Sequence, residues 1–302
     1  MTAIDEPGHD QHDALSIRLL QRAGRPLQGD STLPASPLSS PRGEYRRELR
    51  VATGLAARVA MGNVQGLLAA IEANEESMAD VLGFSMGERG AALDAALQAV
   101  GNPLQVVVEV GCGIGCAAVR SSRFLRAGGC VVACEEDALL AAIAMCMVEW
   151  AGLSEVIHVW VGRSEQLLPR LRCIHGPSCV GALVLNSQGN EYQEDLARME
   201  SLGLWAKNAV VVADQLLQPI APEFMWRICS SGVYKPFIIP VLHDWVLIAV
   251  RSAGDPEPSS LPPQAVAQLR HRADEARRRT PAWHQRDKLA VAPPSPQSGE
   301  AE

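Results

Sequence analysis

Gln105-Val-Val-Val-Glu-Val-Gly-Cys-Gly-Ile-Gly-Cys-Ala-Ala-Val-Arg120 is the stretch on which the fold turns. Its run of β-branched residues reads as a buried parallel strand that passes Glu109 and breaks at three alternating glycines. An alanine-rich helical start follows. Gly111, Gly113 and Gly115 permit a sharp strand-to-helix turn and let the backbone approach a ligand, while the next helix offers unpaired N–H groups. A dinucleotide loop wants a third glycine at position 116. Cys116 stands there, so the spacing fits an S-adenosylmethionine (SAM) loop better than an NAD loop.

Downstream, Cys130-Val-Val-Ala-Cys-Glu-Glu-Asp137 is a second apolar strand ending in acid. A carboxylate at that place accepts both hydroxyls of an adenosine ribose, which makes Glu135 the expected ribose ligand. Strands at 105–110, 130–135, 156–161, 180–185 and 208–213 alternate with helices at 116–126, 137–151, 164–172, 191–204 and 221–231. Such alternation makes a doubly wound parallel sheet with right-handed crossovers. The last two apolar stretches, Tyr234–Val241 and Trp245–Arg251, are close enough for an antiparallel hairpin. The expected fold is therefore α/β, a doubly wound, mostly parallel seven-stranded sheet of Rossmann-like, class I methyltransferase type. NAD-binding domains lack the closing hairpin.

Composition bounds the rest. Among 302 residues, 47% are hydrophobic, enough for one α/β core with material left over. Residues 1–44 are rich in turn formers and predict a disordered tail, residues 45–252 the SAM-binding domain, and residues 253–302 a Pro-rich linker, a charged helix and a second tail. Arg46–Met61 and Gly62–Asn74 predict a helical cap on the sheet's flank, and Phe84–Gly90 a loop before a helix over 91–100. A net charge of −7 gives no general attraction to nucleic acid. The acidic opening residues carry no apolar signal core, and the apolar run 138–148 is too short to span a bilayer. The expectation is a cytoplasmic location with a small-molecule partner, no nucleic acid and no membrane. The eight cysteines include two Cys-x-x-x-Cys pairs, but Cys112 and Cys116 flank a ligand loop, which favours buried reduced thiols over zinc.

Residues 62–251 resemble the catechol O-methyltransferases, SAM enzymes that use magnesium to methylate one hydroxyl of a catechol. The resemblance rests on Gly62-Asn-Val-Gln with Ala70-Ile-Glu72, on the strand and glycine loop through Arg120, on Glu135, and on Met147-Val-Glu-Trp-Ala-Gly-Leu153. It continues through Val161-Gly-Arg-Ser164, Leu168-Pro169, Ala213-Asp-Gln215 and Ala221-Pro-Glu-Phe224. It implies that Met86 lies against the methionine part of SAM, that Glu109 and Gly111 hold its amino-acid end, and that Ser164 and Glu165 flank the adenine. Ala117 stands where the family usually places a serine hydroxyl near the methionine carboxylate. Asn186 falls at a position shared by the SAM and metal sites.

The acceptor half departs from the pattern. Asn186 replaces a metal-binding aspartate, Gly189 replaces the lysine that deprotonates the acceptor, and Gln215 replaces an asparagine beside the retained Asp214. The implied metal set is Asn186, Asp214 and Gln215, with magnesium held weakly by a single carboxylate. Tyr192, Glu191, His243 and Asp244 are the groups near enough to replace the base, with Asp214 and His243 the catalytic candidates. Two functions remain open: an O-methyltransferase acting on a small, catechol-like aromatic acceptor, and a SAM-binding protein that transfers nothing.

Overall fold

The computed structural model describes residues 46–73, 79–82, 84, 86–101, 103–187, 191–216, 221–241, 244–252, 254, 263, 264, 266–269 and 271. The expected tail over 1–44, most of 253–302, Gly189 and His243 lie outside the described residues. Helices α1 (Arg46–Arg58), α2 (Val64–Glu72), α3 (Ala79–Leu82) and α4 (Gly87–Ala99) precede strand β1 (Leu104–Val110) and helix α5 (Cys116–Ser121). Then come β2 (Leu125–Glu135), α6 (Ala138–Trp150), β3 (Ile157–Val161), α7 (Ser164–His175), β4 (Val180–Leu185) and α8 (Tyr192–Ser201). The chain closes through β5 (Trp205–Ala213), α9 (Pro222–Ser230), β6 (Tyr234–Val241) and β7 (Asp244–Arg251).

The described strands form one seven-stranded sheet in the order β3-β2-β1-β4-β5-β7-β6. The first five are parallel, and β7 runs antiparallel to both β5 and β6. Strand direction along the chain reverses its lateral progress between β1 and β4, and ligands of open α/β sheets sit beyond the carboxyl ends of strands at such a switch. The glycine loop begins there.

Alternation along β1 explains why it reads as a continuous apolar run. Val107 packs with Leu55, Leu68, Leu93 and Ile143 on one helical layer. Val106, Val108 and Val110 pack with Leu168, Leu196 and Phe224 on the other. Burial on both faces contributes about 1.5–3 kcal/mol for each large side chain, so the two layers hold the switch point rigid. The expected helical cap is present: the Trp150 indole N–H donates to the Val59 carbonyl at 3.0 Å, and Gly62 N–H donates to the Trp150 carbonyl at 2.8 Å.

Several boundaries differ from the sequence expectation. The helix expected over 116–126 stops at Ser121, and β2 starts at Leu125 rather than at 130. Its first residues, Leu-Arg-Ala-Gly-Gly, lack apolar alternation, yet a Cβ on Gly129 would lie 2.7 Å from the Leu104 carbonyl, so only glycine lets the two strands start side by side. Helix α7 runs through Pro169 to His175 instead of ending at 172, and β5 begins at Trp205 instead of 208. The loop expected over Phe84–Gly90 is already helix from Gly87, which moves Arg89 into the first turn of α4.

Among the described strands β6 lies at one edge of the sheet and β3 at the other. Phe237 and Ile238 are exposed on β6. The Val233 carbonyl accepts from Ser252 N–H at 2.7 Å, so by alternation the backbone groups of the even-numbered residues, including Pro236 and Pro240, face outward.

Candidate SAM and acceptor site

Main-chain hydrogen bonds lace the carboxyl ends of the parallel strands together. Gly162 N–H donates to Glu135 O, Gly111 and Cys112 N–H to Cys134 O, Asn186 N–H to Val110 O, and Asp214 N–H to Leu185 O, all between 2.9 and 3.1 Å. This brings Glu109, Gly111, Gly113, Gly115, Glu135, Asn186 and Asp214 to one rim. Gly111, Gly113 and Gly115 all have positive φ, the backbone region that favours glycine. A Cβ on Gly111 would sit 2.8 Å from the Ser187 backbone, whereas one on Gly113 would meet nothing within 4 Å. The loop is pressed down at its start and faces open space at its middle.

Glu135 is oriented by the loop itself. Gly113 N–H donates to its Oε2 at 2.8 Å and Asp137 N–H to its Oε1 at 3.0 Å. Asp137 in turn caps α6 by accepting from Leu139 and Leu140 N–H. Burial raises the Glu135 pKa, and the two backbone donors oppose that rise.

Glu109 is 1% exposed, and neither carboxylate oxygen has a hydrogen-bond partner among the described residues. Burial, with Glu135 adding repulsion, pushes its pKa up to about 8; the nearby Asn186 side chain pulls the other way without completing a bond of good geometry. A buried carboxylate without a counter-charge is costly and fits a site waiting for a cation. Orphaned Glu109, the clasped Glu135 and the open space over Gly113 fit a ligand that carries an ammonium group and a ribose, as SAM does.

The remaining SAM candidates are placed unevenly. Met86 is the N-cap residue of α4, and Gly87 N–H beside it donates to Glu72 Oε2 at 2.8 Å. Glu72 also receives the buried Arg120 guanidinium, which pairs with Asp94 on α4 as well, so one ionic cluster fixes the start of α4. Ser164 opens α7, but its hydroxyl is committed to the buried Asp195. Glu165 is exposed beside Arg198. Ala117 is buried in the core. Cys112 and Cys116 are buried thiols outside any disulfide, and Cys173 and Cys229 are exposed ones.

The acceptor side contains a group that the sequence reading passed over. Arg89 Nε lies 3.1 Å from Asp214 Oδ1 and 3.0 Å from Oδ2. Asp214 is 1% exposed; burial raises its pKa, while Arg89 and the Gln215 backbone N–H lower it and Asp244 raises it further. Gln215 itself is left-handed, with φ of 54°. Tyr192 O–H donates to the Ser187 carbonyl at 2.6 Å and lies 3.2 Å from the Asp214 carbonyl, and burial raises its pKa, which removes it as a replacement base. One signal for Arg89 was available in the sequence. A cation in the first turn of a helix opposes the macrodipole, so it must serve something outside the helix.

The metal set implied by the resemblance, Asn186, Asp214 and Gln215, does not fit magnesium. Its single carboxylate is already ion-paired, the Asn186 amide lies toward Glu109, and among the described residues no three His, Cys, Asp or Glu side chains are grouped to hold an ion. At Asp214, the catalytic candidate, the Arg89 guanidinium opposes the rise in pKa that burial imposes.

Sheet order, reversed last strand and glycine cradle define a class I methyltransferase fold. An O-methyltransferase from Streptomyces achromogenes, solved in complex with SAM, has a TM-score of 0.50 at 17% identity over 62% of this chain and 89% of its own, a likeness of fold alone. Catechol O-methyltransferase of Bos taurus is 28% identical over 190 residues, 63% of this chain and 68% of that protein. The Sus scrofa enzyme of the same name is 30% identical over 130 residues, 43% of this chain and 70% of that protein. The chain belongs to the catechol O-methyltransferase family. No protein-family model matches it. Among the described residues no helix is long and apolar enough to cross a membrane.

Proposed function

We propose that this protein is a SAM-dependent O-methyltransferase that transfers the sulfonium methyl group to an oxygen of a small acceptor. The observation that carries the reading is Glu109, buried without a partner beside a Glu135 already aimed by Gly113. Glu109 would hold the ammonium group of SAM, Gly111 and Gly113 the approach to its methionine part, and Glu135 the ribose hydroxyls. SAM supplies an electrophilic methyl carbon. The chain's contribution is to align donor and acceptor and to keep water from the rim, which is where proximity gives its rate advantage.

A catechol chelated by magnesium is not the acceptor this donor set supports, since Asp214 is engaged by Arg89. A second reading, SAM binding without transfer, is favoured by Gly189 at the position of the family's lysine. Calorimetry with SAM and NAD tests the donor half. SAM should bind and NAD should not, and a preference for NAD would overturn the assignment. Formation of S-adenosylhomocysteine with an acceptor then separates the enzyme from the silent binder.

A further inference from the structure

Arg89 reaches from the first turn of α4 to the end of β5, a separation of 125 residues in sequence, to bind a carboxylate that is almost wholly buried. Its side chain remains 18% exposed, and its two Nη groups make no hydrogen bond to any described residue. The guanidinium therefore stands on Asp214 at the end of β5 with part of its donor fork unused. It places a permanent positive charge on the carboxylate that the resemblance casts as a metal ligand.

Building on the donor reading above, we propose that Arg89 replaces the divalent ion and that the acceptor is a small carboxylic acid, converted to its methyl ester without metal. The remaining guanidinium N–H groups match a carboxylate's geometry, and such pairs are among the strongest charge-assisted hydrogen bonds. The chemistry also explains what the chain lacks. A phenolic hydroxyl, with a pKa near 10, needs a base or a metal to become nucleophilic at neutral pH, and here the lysine position is Gly189 while the Tyr192 phenol is tied to backbone carbonyls. A carboxylic acid is already ionised at neutral pH. One of its oxygens forms the bond to the methyl carbon as the carbon–sulfur bond breaks, and the electron pair stays on sulfur, giving S-adenosylhomocysteine and an ester. No proton has to leave. Asp214 orients Arg89.

The probe is 4-hydroxybenzoate, which carries both kinds of oxygen on one ring, with benzoate as a second acid. The full chain is incubated with methyl-labelled SAM in the presence of a chelator. Alkali releases volatile methanol from an ester and leaves an ether intact. The expected product is alkali-labile and formed equally well with chelator or magnesium. Arg89→Ala lowers its rate by roughly 100-fold or more while SAM affinity stays within about threefold. Arg89→Lys, which keeps the charge beside Asp214 and so guards against misfolding, still loses about tenfold because the fork is gone. An alkali-stable product, dependence on magnesium, tight magnesium binding by the wild type in calorimetry, or indifference to both substitutions overturns the proposal. Absence of product from either acid, with SAM bound normally, also overturns it and leaves the donor reading standing. Failure to bind SAM overturns the donor reading instead.

Discussion

Glu109 shows why a single carboxyl group deserves its own thermodynamics. In the folded, ligand-free protein it holds its proton to about pH 8, while in the unfolded chain it loses it near pH 4.3. Between those values the native state binds a proton that the unfolded state has released. Stability from this group is therefore complete below pH 4 and declines as pH rises toward 8, by at most about 1.4 kcal/mol per unit. Asp195, raised to about 6 by burial, acts in the same direction over a narrower range. Urea unfolding at several pH values should show this decline in the wild type and a smaller one in Glu109→Gln. The same substitution removes the counter-charge for an ammonium group, so calorimetry should find SAM bound about 10- to 100-fold more weakly. At this scale the sequence was partly legible. An apolar strand ending in acid marked Glu135, whereas the role of Glu109 came from the family resemblance. Arg89 did not stand out, because its one local signal, a cation in a helix's first turn, is hidden when the helix is expected to start at 91 rather than at Gly87.

The element that links those residues is the turn from β1 to α5, and its glycines are not equivalent. Gly111 has φ of 80° and the Ser187 backbone above it, so Gly111→Ala combines left-handed strain with a collision that backbone cannot relieve. It should cost at least about 2 kcal/mol in denaturant unfolding. Gly113 has φ of 52° but open space beyond, so Gly113→Ala should cost only about 1 kcal/mol of stability. Its methyl group projects into the space over the loop, and loss of SAM affinity should exceed loss of stability. Glycine spacing made the turn readable before its geometry was known. The early start of β2 was not readable, since Gly129 answers to the neighbouring strand and Gly128 to its own positive φ, and together they interrupt any apolar period.

Across the whole molecule, donor and acceptor residues come from β1, β2, β4, β5 and α4, so a ligand at the rim ties together elements far apart in sequence. Saturating SAM at about 100 times its dissociation constant should stabilise the fold by about 2.7 kcal/mol, a rise in Tm of roughly 5–10 °C in a scanning measurement. NAD at equal concentration should leave Tm unchanged. Alternating strands and helices, with two apolar runs at the end, carried enough information for the sheet type and its reversed partner. The register shifts where β1 meets β2 and β4 depend on cross-strand packing and left no pattern in the chain. The outermost strand bears on how the protein behaves in company. Because Pro236 and Pro240 leave gaps among the outward donors of β6, a second chain arriving there finds an interrupted template, although Phe237 and Ile238 offer it an oily surface. Sheet growth from molecule to molecule is thus arrested on the side where greasy side chains would most encourage it.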